Sequence, residues 1–139
     1  RLKKLMSRET LLKQTLIEVD PHIVIDLAAL TVVGDSYVLA DYDHNYATPK
    51  NLLFSLQNLS QFNLKSVIFT STQYVIGPES SGTNPLGYAP HTVYGQSKVI
   101  LEQEIRDTIN SFDNLGVQVS IVRPTNVWGG SHPKYSTNP

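Results

Sequence analysis

Three short runs of apolar residues dominate the hydrophobic pattern of the chain. PHIVIDLAA (21–29) is a nearly continuous apolar run. LKSVIFTST (64–72), which ends in hydroxyl residues, and VQVSIVR (117–123) are predicted to be a second and a third strand. Such runs are typical of strands buried in a parallel sheet, where neither face of the strand meets water. The segment 77–91 contains three prolines and three glycines and is predicted to be a loop.

Segments with helical spacing lie before and between these runs. The spacing predicts a helix over 7–18, capped by Ser7, and a second over 49–59, with Pro49 in its first turn. A third and longer helix is predicted over 92–112.

The order of elements is therefore αβαβαβ, which indicates an α/β fold: a Rossmann-like parallel sheet with helices on both faces and right-handed crossovers. In such a fold the ligand site lies beyond the carboxyl ends of the strands. These ends fall at 27–29, 70–72 and 123–126. Candidate functional residues are expected in these three segments and in the helix that packs beside them.

Composition narrows the functional classes. The 139 residues suit one domain, and 11 basic against 12 acidic residues leave no positive field for a nucleic acid. The longest apolar run spans about 12 residues and includes Asp26, too short to cross a membrane. The chain has no cysteine, which excludes disulfides and thiolate chemistry and suits a cytoplasmic protein. We predict no metal site.

One pair of residues suggests proton transfer. Tyr94 and Lys98 are four positions apart on the predicted sheet-facing stripe of the long helix, and the opposite, solvent-facing side carries Gln96, Glu102, Gln103 and Arg106. An ammonium near a phenol would lower the tyrosine pKa towards the range of a general acid or base, and Thr72 or Ser71 could hold the reacting oxygen. Removing a hydride from a carbinol would then require a nicotinamide cofactor. Spacing alone does not select this pair, since Tyr46 and the lysine four residues later match it too.

Six segments in order resemble the extended short-chain dehydrogenase/reductases, the NAD-dependent epimerase/dehydratase group that acts on nucleotide sugars. The segments are PHIVIDLAA, ALTVVGDS, NYATPKNLL, FTSTQYVIG, VYGQSK and IVRPTNVWG. They span residues from about 20 to 130, and their common order makes the resemblance much stronger than any single motif.

The resemblance implies a role for individual residues. Tyr94 would be the acid/base, and Thr72 would hydrogen-bond the sugar hydroxyl. Lys98 would bind the nicotinamide ribose and adjust the pKa of Tyr94. Asn126 would face the substrate phosphates, and Asn45 would be structural or lie at the cofactor edge. The remaining residues expected at an NAD or NADP cofactor are Leu27, Ala28, Ala29, Thr70, Ser71 and Pro124. The resemblance also implies a homodimer through the helices around 42–59 and 92–112.

Departures from the family pattern are informative. Asp26 stands where histidine is usual, and Gln73 and Tyr74 replace the Asp-Glu pair of the 4,6-dehydratases, so an epimerase or reductase fits better. No Gly-rich phosphate-binding turn is present among the eight glycines. Residues 1–139 therefore resemble the second half of an NAD(P)-binding domain, without its first strands or a substrate domain.

The sequence is compatible with two hypotheses about the function of the chain. In one, the chain belongs to an NAD(P)-dependent nucleotide-sugar epimerase or reductase. In the other, the 139 residues are a non-catalytic truncated fragment or interaction module of that family, inactive by itself and unable to bind NAD tightly.

Overall fold

The computed structural model describes residues 8–34, 36–58, 63–77, 87–113 and 115–125. Its helices and strands alternate in the predicted order: α1 Arg8–Val19, β1 Ile23–Asp26, α2 His44–Gln57, β2 Ser66–Thr70, α3 Val93–Asp113 and β3 Gln118–Val122. Two short 3-10 helices follow the first two strands, at Leu39–Tyr42 and Gln73–Val75. The predicted cap Ser7 lies outside the described residues.

The three strands form one parallel sheet in the order β1-β2-β3. Its covered face carries a row of paired apolar side chains, because Val24 pairs with Val67 and Val67 with Val119. Leucines of α1 and α2 join this row, as do Leu101 and Ile105 of α3, in a single hydrophobic core. The α/β parallel fold is confirmed.

The opposite face of the sheet is open in the described part of the chain. Ile23 and Ile25 of β1 are 57% and 56% exposed, and Val122 of β3 is 42% exposed. The three described helices contribute to the core on one face only, so the expected second helical layer is not among the described residues.

The second helix begins earlier than its leucine spacing predicts. It starts at His44, and the Ala47 amide donates to the Asp43 carbonyl at 2.8 Å, so the first turn closes before Pro49. Pro49 then lies inside the helix, where its missing N–H removes one hydrogen bond to the carbonyl of Asn45. The prediction that Pro49 occupies a first turn is wrong. In the described ranges no helix is long and apolar enough to span a membrane.

Candidate functional site

Tyr94 is the central side chain of the candidate site. It lies in the first turn of α3 and is only 8% exposed. Its ring packs between Tyr42 and Tyr74, with centroids 6.1 and 6.2 Å away. The Thr72 side chain lies close enough to the Tyr94 phenol to lower its pKa. The structure therefore brings together the tyrosine and the strand-end hydroxyl that the sequence places 22 residues apart.

A glycine permits this close packing. A Cβ atom on Gly95 would strike the main-chain carbonyl of Tyr74, whose carbon would lie only 3.0 Å away. Only a residue without a side chain lets the start of α3 approach the Gln73–Val75 turn so closely. The Tyr94 ring consequently sits directly beside the end of β2.

Lys98 lies one turn further along the same face and is 3% exposed. Its Nζ donates to the main-chain oxygen of Thr70 at 2.8 Å. Burial lowers the pKa of the Lys98 ammonium, and the negative charge of Asp26 raises it in part. The expectation that a lysine on this stripe must find a polar partner is confirmed, and the partner is a strand-end carbonyl.

The expected effect of Lys98 on Tyr94 is not observed. Burial raises the pKa of the Tyr94 phenol above its ordinary value, the Thr72 hydrogen bond lowers it, and Tyr42 and Tyr74 raise it. The Lys98 ammonium donates to the Thr70 carbonyl. The pKa of Tyr94 is therefore raised and not lowered as predicted, because burial of the phenol has the largest effect.

Asp26, the departure from the family pattern, faces the same region. Burial raises the pKa of its carboxyl group, while the Ala28 amide, at 3.1 Å, and Lys98 lower it. A carboxylate and an ammonium thus occupy the carboxyl ends of two neighbouring strands. Each partly offsets the cost of burying the other's charge.

The segment after β1 is held by two buried side chains. Asn45 accepts from the Leu30 amide at 2.7 Å and donates to the Leu30 carbonyl at 3.0 Å. It also donates to the Ser97 hydroxyl at 3.1 Å, and Tyr42 donates to the Val32 carbonyl at 2.6 Å. The structural role expected for Asn45 is what this geometry provides. Sequence reasoning did not single out Tyr42.

This clamped segment presents an apolar surface at the carboxyl edge of the sheet. Leu27 is 71% exposed, Ala28 is exposed and Ala29 is half-buried. These are the residues that the sequence predicts at a cofactor. Next to Tyr94 lies a cavity of about 230 Å³, whose lining includes Gly34, Tyr37, Tyr42 and His91. A second and more open cavity, of about 380 Å³, is lined by Gln73, Tyr74, Ile76 and His91.

The predicted cofactor residues Thr70, Ser71 and Pro124 lie at the carboxyl ends of β2 and β3. The Thr70 hydroxyl is buried and has no hydrogen-bond partner among the described residues. The Ser71 hydroxyl donates to Glu102 at 2.7 Å, so its proton is not available to a cofactor. The Pro124 carbonyl accepts from the Gln73 amide at 3.2 Å. Asn126 lies outside the described residues.

The second Tyr/Lys pair does not form a site. Tyr46 packs against the hydrophobic core, and Lys50, on the solvent side, pairs with Glu104 of α3 at 2.8 Å. In the described part of the chain, neither side chain is hydrogen-bonded to a strand-end hydroxyl. Context rather than spacing therefore separates the two pairs.

Glu102 is the buried group that sequence reasoning assigned to the wrong side of α3. It was expected on the solvent face, yet its side chain is fully buried. Arg123 donates to both carboxylate oxygens, at 2.8 and 2.6 Å, and Tyr88 donates at 2.8 Å. These hydrogen bonds, with that from Ser71, outweigh desolvation and lower the pKa of Glu102 to about 2. The available signal was its position four residues after Lys98, which places it on the same helix face.

Comparison with known proteins identifies the family. The sequence model of the "NAD dependent epimerase/dehydratase family" matches residues 4–138, and the chain therefore belongs to that family. It is 35% identical over 115 residues to the UDP-glucose 4-epimerase of Bacillus subtilis (strain 168), covering 79% of this chain and 32% of that protein. The chain thus spans about a third of the length of this relative.

Solved structures agree with the fold. The UDP-glucose 4-epimerase from Brucella ovis in complex with NAD superposes with a TM-score of 0.69 at 26% identity, covering 88% of this chain and 37% of that one. The UDP-glucuronic acid 4-epimerase from Bacillus cereus in complex with UDP-glucuronic acid and NAD superposes with a TM-score of 0.64 at 25% identity. That match covers 81% of this chain and 34% of that structure.

Proposed function

We propose that the protein is a nucleotide-sugar epimerase or reductase that uses NAD or NADP to oxidise a sugar carbinol, with Tyr94 as the acid/base. The observation that carries the proposal is the arrangement at the end of β2. A buried phenol has a threonine hydroxyl beside it and a buried ammonium one helical turn away. The two UDP-sugar 4-epimerases that superpose on this chain support the substrate class.

Tyr94 would move the proton of the sugar hydroxyl. Its pKa is raised by burial, so the phenol is protonated at neutral pH and ready to donate. To accept a proton it needs a nearby positive charge that favours the phenolate. The chemistry that bound NAD supplies is the acceptance of a hydride together with such a positive charge. Thr72, beside the phenol, would hold the reacting oxygen in line with Tyr94.

Lys98 would bind the cofactor ribose. An ammonium has three N–H donors, and among the described residues Lys98 has one hydrogen-bond acceptor, the Thr70 carbonyl. The remaining donors, in a side chain that is 3% exposed, suit the hydroxyl groups of a ribose. The unpartnered Thr70 hydroxyl is a second polar atom that a ligand would satisfy.

The rest of the nicotinamide half of the cofactor would lie along the exposed segment after β1. Leu27, Ala28 and Ala29 offer an apolar surface at the carboxyl edge of the sheet, where ligands of parallel α/β folds bind. Pro124, with Ser71 through its main chain, would complete the contacts. The residues present therefore fit the nicotinamide half, whereas the sequence has no Gly-rich turn for the pyrophosphate.

Partners follow from the same assignment. The substrate would be a nucleotide sugar, with Asn126 near its phosphates, and neither a nucleic acid nor a membrane would be bound. Two copies would pair through the helices 42–59 and 92–112, to which Phe54, 54% exposed on α2, would contribute. A cytoplasmic location accords with the absence of cysteine.

The alternative is that these 139 residues form a non-catalytic module of the family. The missing Gly-rich turn favours it, because the main-chain donors of that turn normally hold the cofactor pyrophosphate. Calorimetric titration of the 139-residue chain with NAD separates the two functions. Tight binding would exclude the module, and its absence would leave catalysis to a longer protein that includes this segment.

The catalytic assignment is tested by a matched pair of variants. The protein is incubated with NAD and UDP-glucose or UDP-glucuronic acid, and inversion at the sugar carbon is followed by proton NMR. Tyr94→Phe removes the acid/base and should slow inversion by roughly 10²- to 10⁴-fold. Tyr46→Phe, the same change in the other Tyr/Lys pair, should leave the rate unchanged. Equal rates for the two variants would refute the assignment.

A further inference from the structure

The helix that carries Tyr94 contacts three consecutive residues at the end of β2. The contacting side chains are spaced one turn apart on one face of α3: Tyr94, Lys98 and Glu102. Lys98 donates to the Thr70 carbonyl at 2.8 Å, Glu102 accepts from the Ser71 hydroxyl at 2.7 Å, and the Tyr94 phenol lies beside the Thr72 side chain. Two hydrogen bonds to one helix therefore hold the strand end directly before Thr72.

The main chain on either side of Thr72 is also fixed. The Ser71 amide donates to the Val122 carbonyl at 2.8 Å, and the Gln73 amide donates to the Pro124 carbonyl at 3.2 Å. Thr72 itself is extended, with φ −157° and ψ 156°. These bonds set the path of the backbone within the sheet, and the Ser71 side chain adds a direct hydrogen bond from this segment to α3.

The group that Ser71 bonds to is held firmly in place. Arg123 binds both oxygens of the Glu102 carboxylate, a bidentate arrangement that fixes orientation as well as distance. Tyr88 donates to the same carboxylate at 2.8 Å, and the Glu102 side chain has no exposed surface. Ser71 is thus anchored to a charge that cannot move without breaking several hydrogen bonds.

We propose that Ser71 and Glu102 are positioning residues, which hold the Thr72 hydroxyl against the Tyr94 phenol. Their importance for catalysis rests on the proposed function, in which Thr72 and Tyr94 face the sugar hydroxyl. The contact itself is a property of the protein without any ligand. Loss of the Ser71 hydroxyl should let the segment 71–73 shift away from α3 and weaken the contact between Thr72 and Tyr94.

The readout is the pKa of the Tyr94 phenol, measured by NMR of the protein labelled with ¹³C at the tyrosine ζ carbon. This pKa reports on the contact between Thr72 and Tyr94. Because the Thr72 bond lowers that pKa, Thr72→Val should raise it, by roughly 0.5 to 1 pH unit for one neutral hydrogen bond. Ser71→Ala should raise it in the same direction, and Ser71→Thr, which keeps a hydroxyl, should restore the wild-type value. Tyr94→Phe identifies the resonance.

Tyr88→Phe is the matched control. It also removes one neutral donor to Glu102, but from the side that does not hold Thr72, and should leave the Tyr94 pKa unchanged. The other ionisable groups around the phenol are retained in the Ser71 and Tyr88 variants: Tyr42, Tyr74, His91 and Lys98.

Three results would overturn the proposal: no shift in Ser71→Ala, equal shifts in Ser71→Ala and Tyr88→Phe, or no shift in Thr72→Val. Since the measurement needs neither cofactor nor sugar, failure of the epimerase assignment would leave its outcome intact. The two proposals can therefore fail separately.

Discussion

The buried carboxylate of Glu102 should be a large contributor to the stability of the fold. Glu102→Gln keeps the size and most hydrogen-bonding capacity of the side chain but removes the charge that Arg123 binds. The folded-state pKa of about 2, against an ordinary value of 4.5, corresponds to about 3 kcal/mol of stabilisation of the charged form. Breaking a buried ion pair by removing one partner typically costs roughly 3–5 kcal/mol. We therefore expect the free energy of unfolding to fall by about 3 kcal/mol at pH 7.

The pH dependence has a definite sign. A carboxyl group whose pKa is depressed by folding adds stability that is fully present above its unfolded pKa, near 4.5, and is lost as the pH falls towards 2. Wild-type protein and Glu102→Gln should therefore differ most at neutral pH. Their free energies of unfolding should converge as the pH drops below 4.5.

Urea denaturation followed by far-ultraviolet circular dichroism, repeated across this pH range, measures both effects. The matched control is Glu104→Gln, the same change two residues along α3. Glu104 pairs with Lys50 at 2.8 Å, but the lysine side chain is 60% exposed, so the control should cost about 0–1 kcal/mol. If the two variants lose the same small amount of stability, or if Glu102→Gln keeps the wild-type pH dependence, the reasoning about the buried cluster is wrong.

Two further changes test the packing and the electrostatics of the site. Gly95→Ala should lower the free energy of unfolding, measured in urea, by about 1–3 kcal/mol, because its Cβ would strike the Tyr74 carbonyl. The control Gly34→Ala meets only ordinary contacts and should change this free energy by no more than about 0.5 kcal/mol. Equal costs for the two variants would contradict the close approach of α3 to Tyr74. Asp26→Asn should lower the pKa of Lys98 further, since the carboxylate raises it, and NMR titration of the lysine ε carbon would show an unchanged pKa if the two charges did not interact.

The order of elements was predictable because each strand lies in a short segment rich in apolar residues and each helix has its own periodicity. The predicted strand over 64–72 is confirmed at Ser66–Thr70, and the long helix predicted over 92–112 at Val93–Asp113. The start of α2 was not predictable from its leucines. The turns before Pro49 are stabilised by Asn45 and Tyr42, whose partners lie in the loop after β1 rather than in the helix.

The sequence could not predict which charged side chain of α3 is buried with a partner. The apolar stripe of α3 placed Tyr94 and Lys98 on the sheet-facing side, and both are buried there. The same stripe continues to Glu102, but a glutamate is predicted to face solvent unless a buried partner for its charge is known. That partner, Arg123, lies 21 residues further along, and nothing in the local pattern indicates that the two meet.

In the proposed function, Tyr94 moves the proton while a hydride leaves the sugar carbon. The most direct test is to mix the protein with NAD and its nucleotide sugar and to record the near-ultraviolet absorbance of reduced nicotinamide in single-turnover experiments. Wild-type protein and Tyr46→Phe should both form reduced nicotinamide rapidly. Tyr94→Phe should form it at least roughly 10²-fold more slowly. Formation at the wild-type rate in Tyr94→Phe would contradict the account.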